Sequence, residues 1–201
     1  MTISWYGEAC FLLEAGGTRI LIEPPSKESG LATPRLKSDV LISARPLDNE
    51  GGAFTIDSPG EYEVKGVNIL GIGDPSTSSG QVNIIYNIEI DNIKIAHLGF
   101  LNKELDNEKM ELLGEPDIVL VPVGGKGELF DAEKAMKLIN KMEPKIAIPM
   151  LYDVKGLKIQ RAPVADFIKE SEAKESPVSK LTIKKKDLTE EETKIVILEK
   201  T

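Results

Sequence analysis

The first hundred residues alternate short apolar runs with pairs of turn-forming residues. After an apolar run at 3–6, pairs of runs flank three turns: 10–14 and 18–23 around Gly16-Gly17, 61–64 and 67–72 around Lys65-Gly66, and 81–90 and 93–97 around Asp91-Asn92. Glycine, asparagine and aspartate tolerate the positive φ that tight hairpin turns require. This pattern predicts three β-hairpins and therefore antiparallel sheet.

The second half of the chain changes to helical spacing between buried strands. Apolar positions predict a helix over Leu105–Leu113 that ends at Gly114, a helix capped by Asp131 that runs through Met142, and a helix over Val164–Ser171. Four strands are expected at 117–122, 145–149, 181–183 and 194–198. A single domain over residues 1–201, built as a sheet sandwich with helices on its outer faces, accommodates both halves.

Composition narrows the classes of function. The chain has 201 residues, of which 41% are hydrophobic and 29% are charged, and its net charge is −8. An acidic chain argues against a nucleic-acid partner. No apolar run reaches the length of a membrane span, and no basic segment precedes an apolar one at the start. Cys10 is the only cysteine, so we expect a cytoplasmic protein.

The segment Asp39–Asn49 ends a predicted strand and enters a polar loop. Val40, Leu41 and Ile42 are followed by the letters SARPLDN, which contain Asp48 and Asn49 but no histidine. The whole chain contains one histidine, His97. Zinc sites in proteins use three or four ligands, usually imidazoles and thiolates. A histidine-rich zinc site is therefore excluded.

Seven segments in collinear order resemble the metallo-β-lactamase superfamily, and in particular its small bacterial Zn-dependent hydrolases of the β-lactamase fold. The segments are WYGEACFLLE, RILIEP, DVLISARPLDN, IDSPGEYEVKGVNILGI, IAHLGF, IVLVPVGG and EPKIAIPMLY. The resemblance implies an α/β (α+β) fold, a four-layer αββα sandwich, with a zinc site along one edge of the two sheets.

The resemblance also assigns the metal-ligand positions one by one, and most of them have changed. The histidines of the family's H-x-H-x-D-H loop correspond to Ala44, Pro46 and Asn49, and its aspartate to Asp48. The bridging aspartate corresponds to Phe100 and the last histidine to Leu151. The loop after GVNILGI, where the family has a further histidine, contains none. The remnant site is thus Asp48, His97 and Asn49.

The remaining polar residues near these positions have two interpretations each. Glu8, Glu23, Asp48 and Asp74 could converge to bind a hard ion such as Mg²⁺ or Ca²⁺. The favoured interpretation pairs these carboxylates with Arg45, other cations or backbone amides, because buried charge must be compensated. His97 matches a non-ligating histidine of the family, and a hydrogen-bonded structural role is favoured over catalysis. We expect Cys10 to be a buried, unreactive thiol.

We therefore expect a degenerate member of this fold, without a bound cofactor, that serves as a non-catalytic binding or structural module. Its partner would be an unknown small molecule or protein, and the sequence is compatible with a homo-oligomer. One alternative is an active hydrolase with a carboxylate-bound metal. Another is a regulatory subunit of an intact paralogue.

Overall fold

Two β-sheets face each other in the computed structural model, which describes residues 1–44, 53–74, 83–174, 176–189 and 192–201. The strands order as β12-β1-β2-β3-β4-β5 in one sheet and as β13-β11-β10-β9-β8-β7-β6 in the other. The inner faces of both sheets contribute to one large apolar core. A mixed α/β sandwich of two sheets with few helices confirms the predicted fold class.

The six-stranded sheet is built mainly from the N-terminal part of the chain. Its strands are β1 (Thr2–Trp5), β2 (Phe11–Ala15), β3 (Thr18–Ile22), β4 (Val40–Ile42), β5 (Phe54–Ile56) and β12 (Leu181–Thr182). The β3–β4 and β4–β5 pairs are parallel, and the other pairs are antiparallel. β5 was not predicted, because it has only three residues, of which Phe54 and Thr55 are exposed.

The seven-stranded sheet combines two hairpins with parallel strands. Its strands are β6 (Gly60–Val64), β7 (Val67–Asp74), β8 (Asn83–Ile90), β9 (Ile93–His97), β10 (Ile118–Pro122), β11 (Ile146–Met150) and β13 (Lys194–Ile195). Strands β9, β10, β11 and β13 pair in parallel, so the C-terminal ends of these strands meet at one edge of the sheet. β13 is shorter than the strand predicted at 194–198.

Three α-helices are described: α1 (Asn107–Leu113), α2 (Ala132–Met142) and α3 (Val164–Ser171). The predicted cap Asp131 is in place, because its side chain accepts a hydrogen bond from the Lys134 amide. Asp106, which was not predicted as a cap, accepts from the Lys109 amide in the same way at the start of α1. α2 packs on β10 and on α3. No helix in the described part of the chain is long and apolar enough to cross a membrane.

The three predicted hairpins are confirmed, together with their turn geometry. At each turn both central residues have positive φ: 57° and 81° at Gly16-Gly17, 52° and 75° at Lys65-Gly66, and 52° and 59° at Asp91-Asn92. Such turns match the twist of the flanking strands. The sequence signal was local, so it could be interpreted without knowledge of the rest of the fold.

Different elements cover the outer faces of the two sheets. Asn87 of β8 donates to the Leu113 carbonyl of α1 at 3.1 Å, so α1 lies with α2 on the seven-stranded sheet. On the six-stranded sheet a small cluster of Cys10, Leu12, Leu21 and Leu41 is covered by Tyr6, Leu36 and Ala53. In the described residues this outer layer is irregular chain with one 3-10 turn, Lys27–Ser29, rather than α-helix.

Gly124 permits the closest backbone approach at the edge where β10 and β11 end. A Cβ atom at this position would lie 1.8 Å from the Leu151 carbonyl oxygen and 2.8 Å from Cδ of Arg161.

We predict that Gly124→Ala lowers stability by at least about 2 kcal/mol, measured by urea unfolding. Gly127→Ala is the control, since its Cβ would meet nothing within 4 Å and only the φ of 78° opposes it. Equal losses in the two variants would contradict the close approach.

Candidate functional site

The loop between β1 and β2 is the centre of the candidate site. A turn closes it, with the Cys10 amide donating to the Gly7 carbonyl at 3.0 Å, and it holds Glu8 at a φ of 49°. The Glu8 carbonyl accepts hydrogen bonds from the Trp5 indole at 2.9 Å and from the Leu151 amide at 3.2 Å. The loop therefore joins β1 to the end of β11.

His97 attaches the end of β9 to the same loop. Its ring is fully buried, its Nε2 lies 2.9 Å from the Ala9 carbonyl, and its Nδ1 accepts a hydrogen bond from the Gly99 amide at 3.2 Å. The ring also meets Phe11 edge to face, with centroids 5.9 Å apart. Because a carbonyl accepts and an amide donates, the imidazole carries its proton on Nε2.

Burial makes His97 a neutral group at physiological pH. Desolvation lowers the pKa of His97 to about 4, although its hydrogen bond to Ala9 acts in the opposite direction. Both ring nitrogens are engaged within the protein, as the predicted structural role requires. In this geometry neither nitrogen is available to a metal ion or to a substrate.

Glu8 forms a buried ion pair with Arg161, a residue that the sequence analysis did not single out. Arg161 Nη2 and Nε lie 3.1 and 3.3 Å from the two carboxylate oxygens of Glu8, and both side chains are about 5% exposed. Arg161 Nη1 lies 3.5 Å from the exposed carboxylate of Glu128. The two partners are separated by 153 positions, so no local pattern indicated the pair.

Glu23 and Asp74 have compensating partners of their own. The buried carboxylate of Glu23 accepts a hydrogen bond from the Ala44 amide at 2.7 Å. Asp74 is 4% exposed and lies 3.7 Å from the ammonium of Lys109. Together with the Glu8–Arg161 pair, these contacts match the favoured expectation of cation or amide partners for three of the four candidate carboxylates.

Of the other candidate positions, some lie outside the described residues, and the rest differ in how deeply they are buried. Pro46, Asp48 and Asn49, together with Arg45, lie outside the described residues. Leu151 is fully buried and has a φ of 60°, a strained conformation for a leucine. Phe100 is only partly buried and packs against the main core. Its amide donates to Asn83 Oδ1 at 2.8 Å.

The described residues do not fit a zinc centre. No group of three or more histidine, cysteine, aspartate or glutamate side chains comes together among them to hold a metal ion. At the three described positions where the resemblance expects a metal ligand, the side chains are those of Ala44, Phe100 and Leu151, which offer no donor atom. The described donor set therefore supplies hydrogen-bonding and ion-pairing groups rather than metal ligands.

A buried phenol lies on the inner face of β8, beside His97 on β9. Tyr86 is fully buried, and its hydroxyl has no hydrogen-bond partner among the described residues. Burial, followed by the negative charge of Glu23, raises the pKa of Tyr86 far above its usual range. The pattern of β8 predicts a buried position here, but it does not predict that the hydroxyl lacks a partner.

His97 makes stability depend on pH. Its pKa is about 4 in the folded protein and about 6.5 in an unfolded chain, so the unfolded state binds the proton more readily. The neutral, buried ring therefore contributes about 3 kcal/mol to the free energy of unfolding. This stabilisation is fully present above pH 6.5 and is lost as the pH falls towards 4. We expect His97→Gln to flatten the pH profile of unfolding in this window. Parallel profiles for the two proteins would contradict the buried neutral histidine.

Tyr86 and Tyr152 form a matched pair for a second test. The Tyr152 hydroxyl donates to the Leu198 carbonyl at 3.0 Å, whereas that of Tyr86 has no described partner. We predict that Tyr152→Phe lowers stability by about 1 kcal/mol, while Tyr86→Phe leaves it unchanged or raises it. Denaturant unfolding measures both. A comparable loss in Tyr86→Phe would show that the hydroxyl has a partner, such as a bound water.

Comparisons with known proteins agree with this fold. The family model described as "Beta-lactamase superfamily domain" matches residues 2–151. A solved structure from Thermotoga maritima, titled as a proposed Zn-dependent hydrolase of the metallo-β-lactamase superfamily, aligns with a TM-score of 0.81 and 33% identity over 98% of each chain.

Curated archaeal relatives extend the comparison. A UPF0173 metal-dependent hydrolase of Archaeoglobus fulgidus is 28% identical, over 92% of this chain and 96% of its own length. A UPF0173 protein of Pyrococcus furiosus is 29% identical, over 76% of this chain and 83% of its own length. With a family model that matches three quarters of its length, this chain belongs to the metallo-β-lactamase superfamily.

Proposed function

We propose that this protein is a non-catalytic member of its superfamily, a pseudoenzyme whose edge site serves as a binding or structural module. The hydrogen-bond and ion-pair partners of the polar side chains at this edge support the proposal. Glu8 pairs with Arg161, Glu23 accepts from the Ala44 amide, and both nitrogens of His97 are engaged within the protein. A hydrolase of this superfamily needs metal ions to activate water and to polarise its substrate, and these groups have other partners.

The partner in this proposal is a small molecule or a protein in the cytoplasm, and an intact paralogue is one such protein. The net charge of −8 favours a neutral or basic partner over nucleic acid. A lone cysteine, Cys10, which is buried, is consistent with a reducing compartment.

A second candidate function is metal-dependent hydrolysis at a site of carboxylates. The relatives favour it, since several bear the name metal-dependent hydrolase, and by their names alone it is better supported than the first. It would require Asp48, which lies outside the described residues, to act with Glu8, Glu23 or Asp74. Oxygen ligands of this kind would suit Mg²⁺ or Ca²⁺. The contacts that already engage the three described carboxylates oppose it.

Metal content and metal dependence of stability separate the two candidates. We expect the purified protein to contain far less than one zinc, magnesium or calcium ion per chain by inductively coupled plasma mass spectrometry. A chelator should leave its melting temperature unchanged, because no folding energy would come from metal binding. The Thermotoga maritima relative, purified in parallel, is the comparison. A stoichiometric metal ion, or a melting temperature that falls by many degrees with chelator, would favour the second candidate.

A further inference from the structure

The Glu8–Arg161 ion pair lies where three parts of the fold meet. The Glu8 carbonyl holds the Leu151 amide at the end of β11, and the next carbonyl, that of Ala9, holds His97 at the end of β9. The resemblance assigns the position of Leu151 to a metal-binding histidine. The pair therefore belongs to the edge at which the superfamily places its metal centre.

Backbone hydrogen bonds hold Arg161 in position from the opposite side of this edge. Its neighbour Ala162 donates to the Gly124 carbonyl at 2.7 Å, and the Ala162 carbonyl accepts from the Asp153 amide at 3.0 Å. The Leu151 carbonyl oxygen, together with Cδ of Arg161, lies so close to Gly124 that only a glycine fits there. The segment after β11 is thus fixed to the end of β10, and its guanidinium is directed at the loop between β1 and β2.

The Glu8–Arg161 pair is a buried ion pair with two points of contact, unlike a solvated ion pair on the surface. Two guanidinium nitrogens meet two carboxylate oxygens, a geometry that arginine provides and lysine does not. Both side chains are about 5% exposed, so solvent screens their attraction only weakly. Loss of Arg161 would leave Glu8 as an uncompensated buried charge, and loss of Glu8 would leave the buried Arg161 with only the exposed carboxylate of Glu128, 3.5 Å away.

We propose that the Glu8–Arg161 ion pair replaces the metal centre as the link that closes this edge of the sandwich. A bound metal joins loops by accepting donors from each of them, and here a guanidinium from one segment and a carboxylate from another form the connection without a metal ion. The inference rests on the proposed function, which excludes a bound metal ion. It assigns the cross-linking role of that metal ion to the guanidinium of Arg161.

Thermal unfolding of single and double variants, with and without chelator, tests the link. We expect Arg161→Met and Glu8→Gln each to lower the melting temperature by roughly 10 °C, the size expected for breaking a buried pair in a chain of this length. Arg161→Lys should also lower it, because one ammonium cannot replace the two-point contact. The double variant Glu8→Met/Arg161→Met should lose no more than the larger of the two single losses, since both single changes break the same contact.

Lys137→Met is the matched control. It removes a cation from an ion pair with Glu133, 2.6 Å apart, in which both side chains are about two-thirds exposed, and it should change the melting temperature by no more than about 2 °C. If Arg161→Met does not fold, Glu8→Gln and Arg161→Lys give the answer against this control. Single variants that melt like the control, or a double variant that loses the sum of the two single losses, would overturn the inference.

Measuring the metal content of the same preparations distinguishes failure of this inference from failure of the proposed function. Wild-type protein without stoichiometric metal, together with singles that melt like the control, overturns the link and leaves the proposed function standing. Wild-type protein that holds a metal ion, and is destabilised by chelator, overturns the proposed function and with it the replacement of the metal by the ion pair, whatever the variants show.

Discussion

Two consecutive carbonyl groups, those of Glu8 and Ala9, determine the arrangement of the candidate site. They accept hydrogen bonds from the Trp5 indole, the Leu151 amide and the His97 imidazole, which belong to β1, to the end of β11 and to β9. Buried carbonyls must be satisfied, so these bonds oblige both sheets to meet at one edge. The left-handed conformation of Glu8 follows from this arrangement, because the turn must direct successive groups towards different elements.

On the proposed function, the same edge also shows how the sandwich can be intact without a metal ion. In a dinuclear centre the ions compensate several acidic side chains at once, whereas here each buried carboxylate has its own partner. Arg161 compensates Glu8, and the Ala44 amide serves Glu23. Most of the folding energy in a chain of this size comes from the apolar core between the sheets, where residues such as Ile3, Ile42 and Ile95 are fully buried. On the proposed function, the loss of metal ligands thus removed chemistry while the architecture was retained.

Local patterns predicted most of the fold, and long-range contacts account for what they missed. The three hairpins, the capping aspartate Asp131 and the fold class were predicted because each depends on a few adjacent residues or on collinear motifs. The edge strand β5 was missed because it has only three residues, of which the first two are exposed, so that it gives no clear alternation. The pairing of Glu8 with Arg161 depends on the closed fold, and the only local indication was a glutamate in an otherwise apolar N-terminal segment.

Leu151 has a strained backbone conformation that its backbone contacts maintain. A leucine gains nothing from a φ of 60°, and a β-branched or bulky residue in this region costs on the order of 1–3 kcal/mol. The conformation persists because the Leu151 amide must reach the Glu8 carbonyl and its own carbonyl lies against Gly124. A histidine at this position would be directed by the same backbone, which agrees with the metal-binding role that the resemblance assigns to it. Neighbouring backbone groups therefore maintain the main-chain conformation at Leu151, while its fully buried side chain contributes to packing.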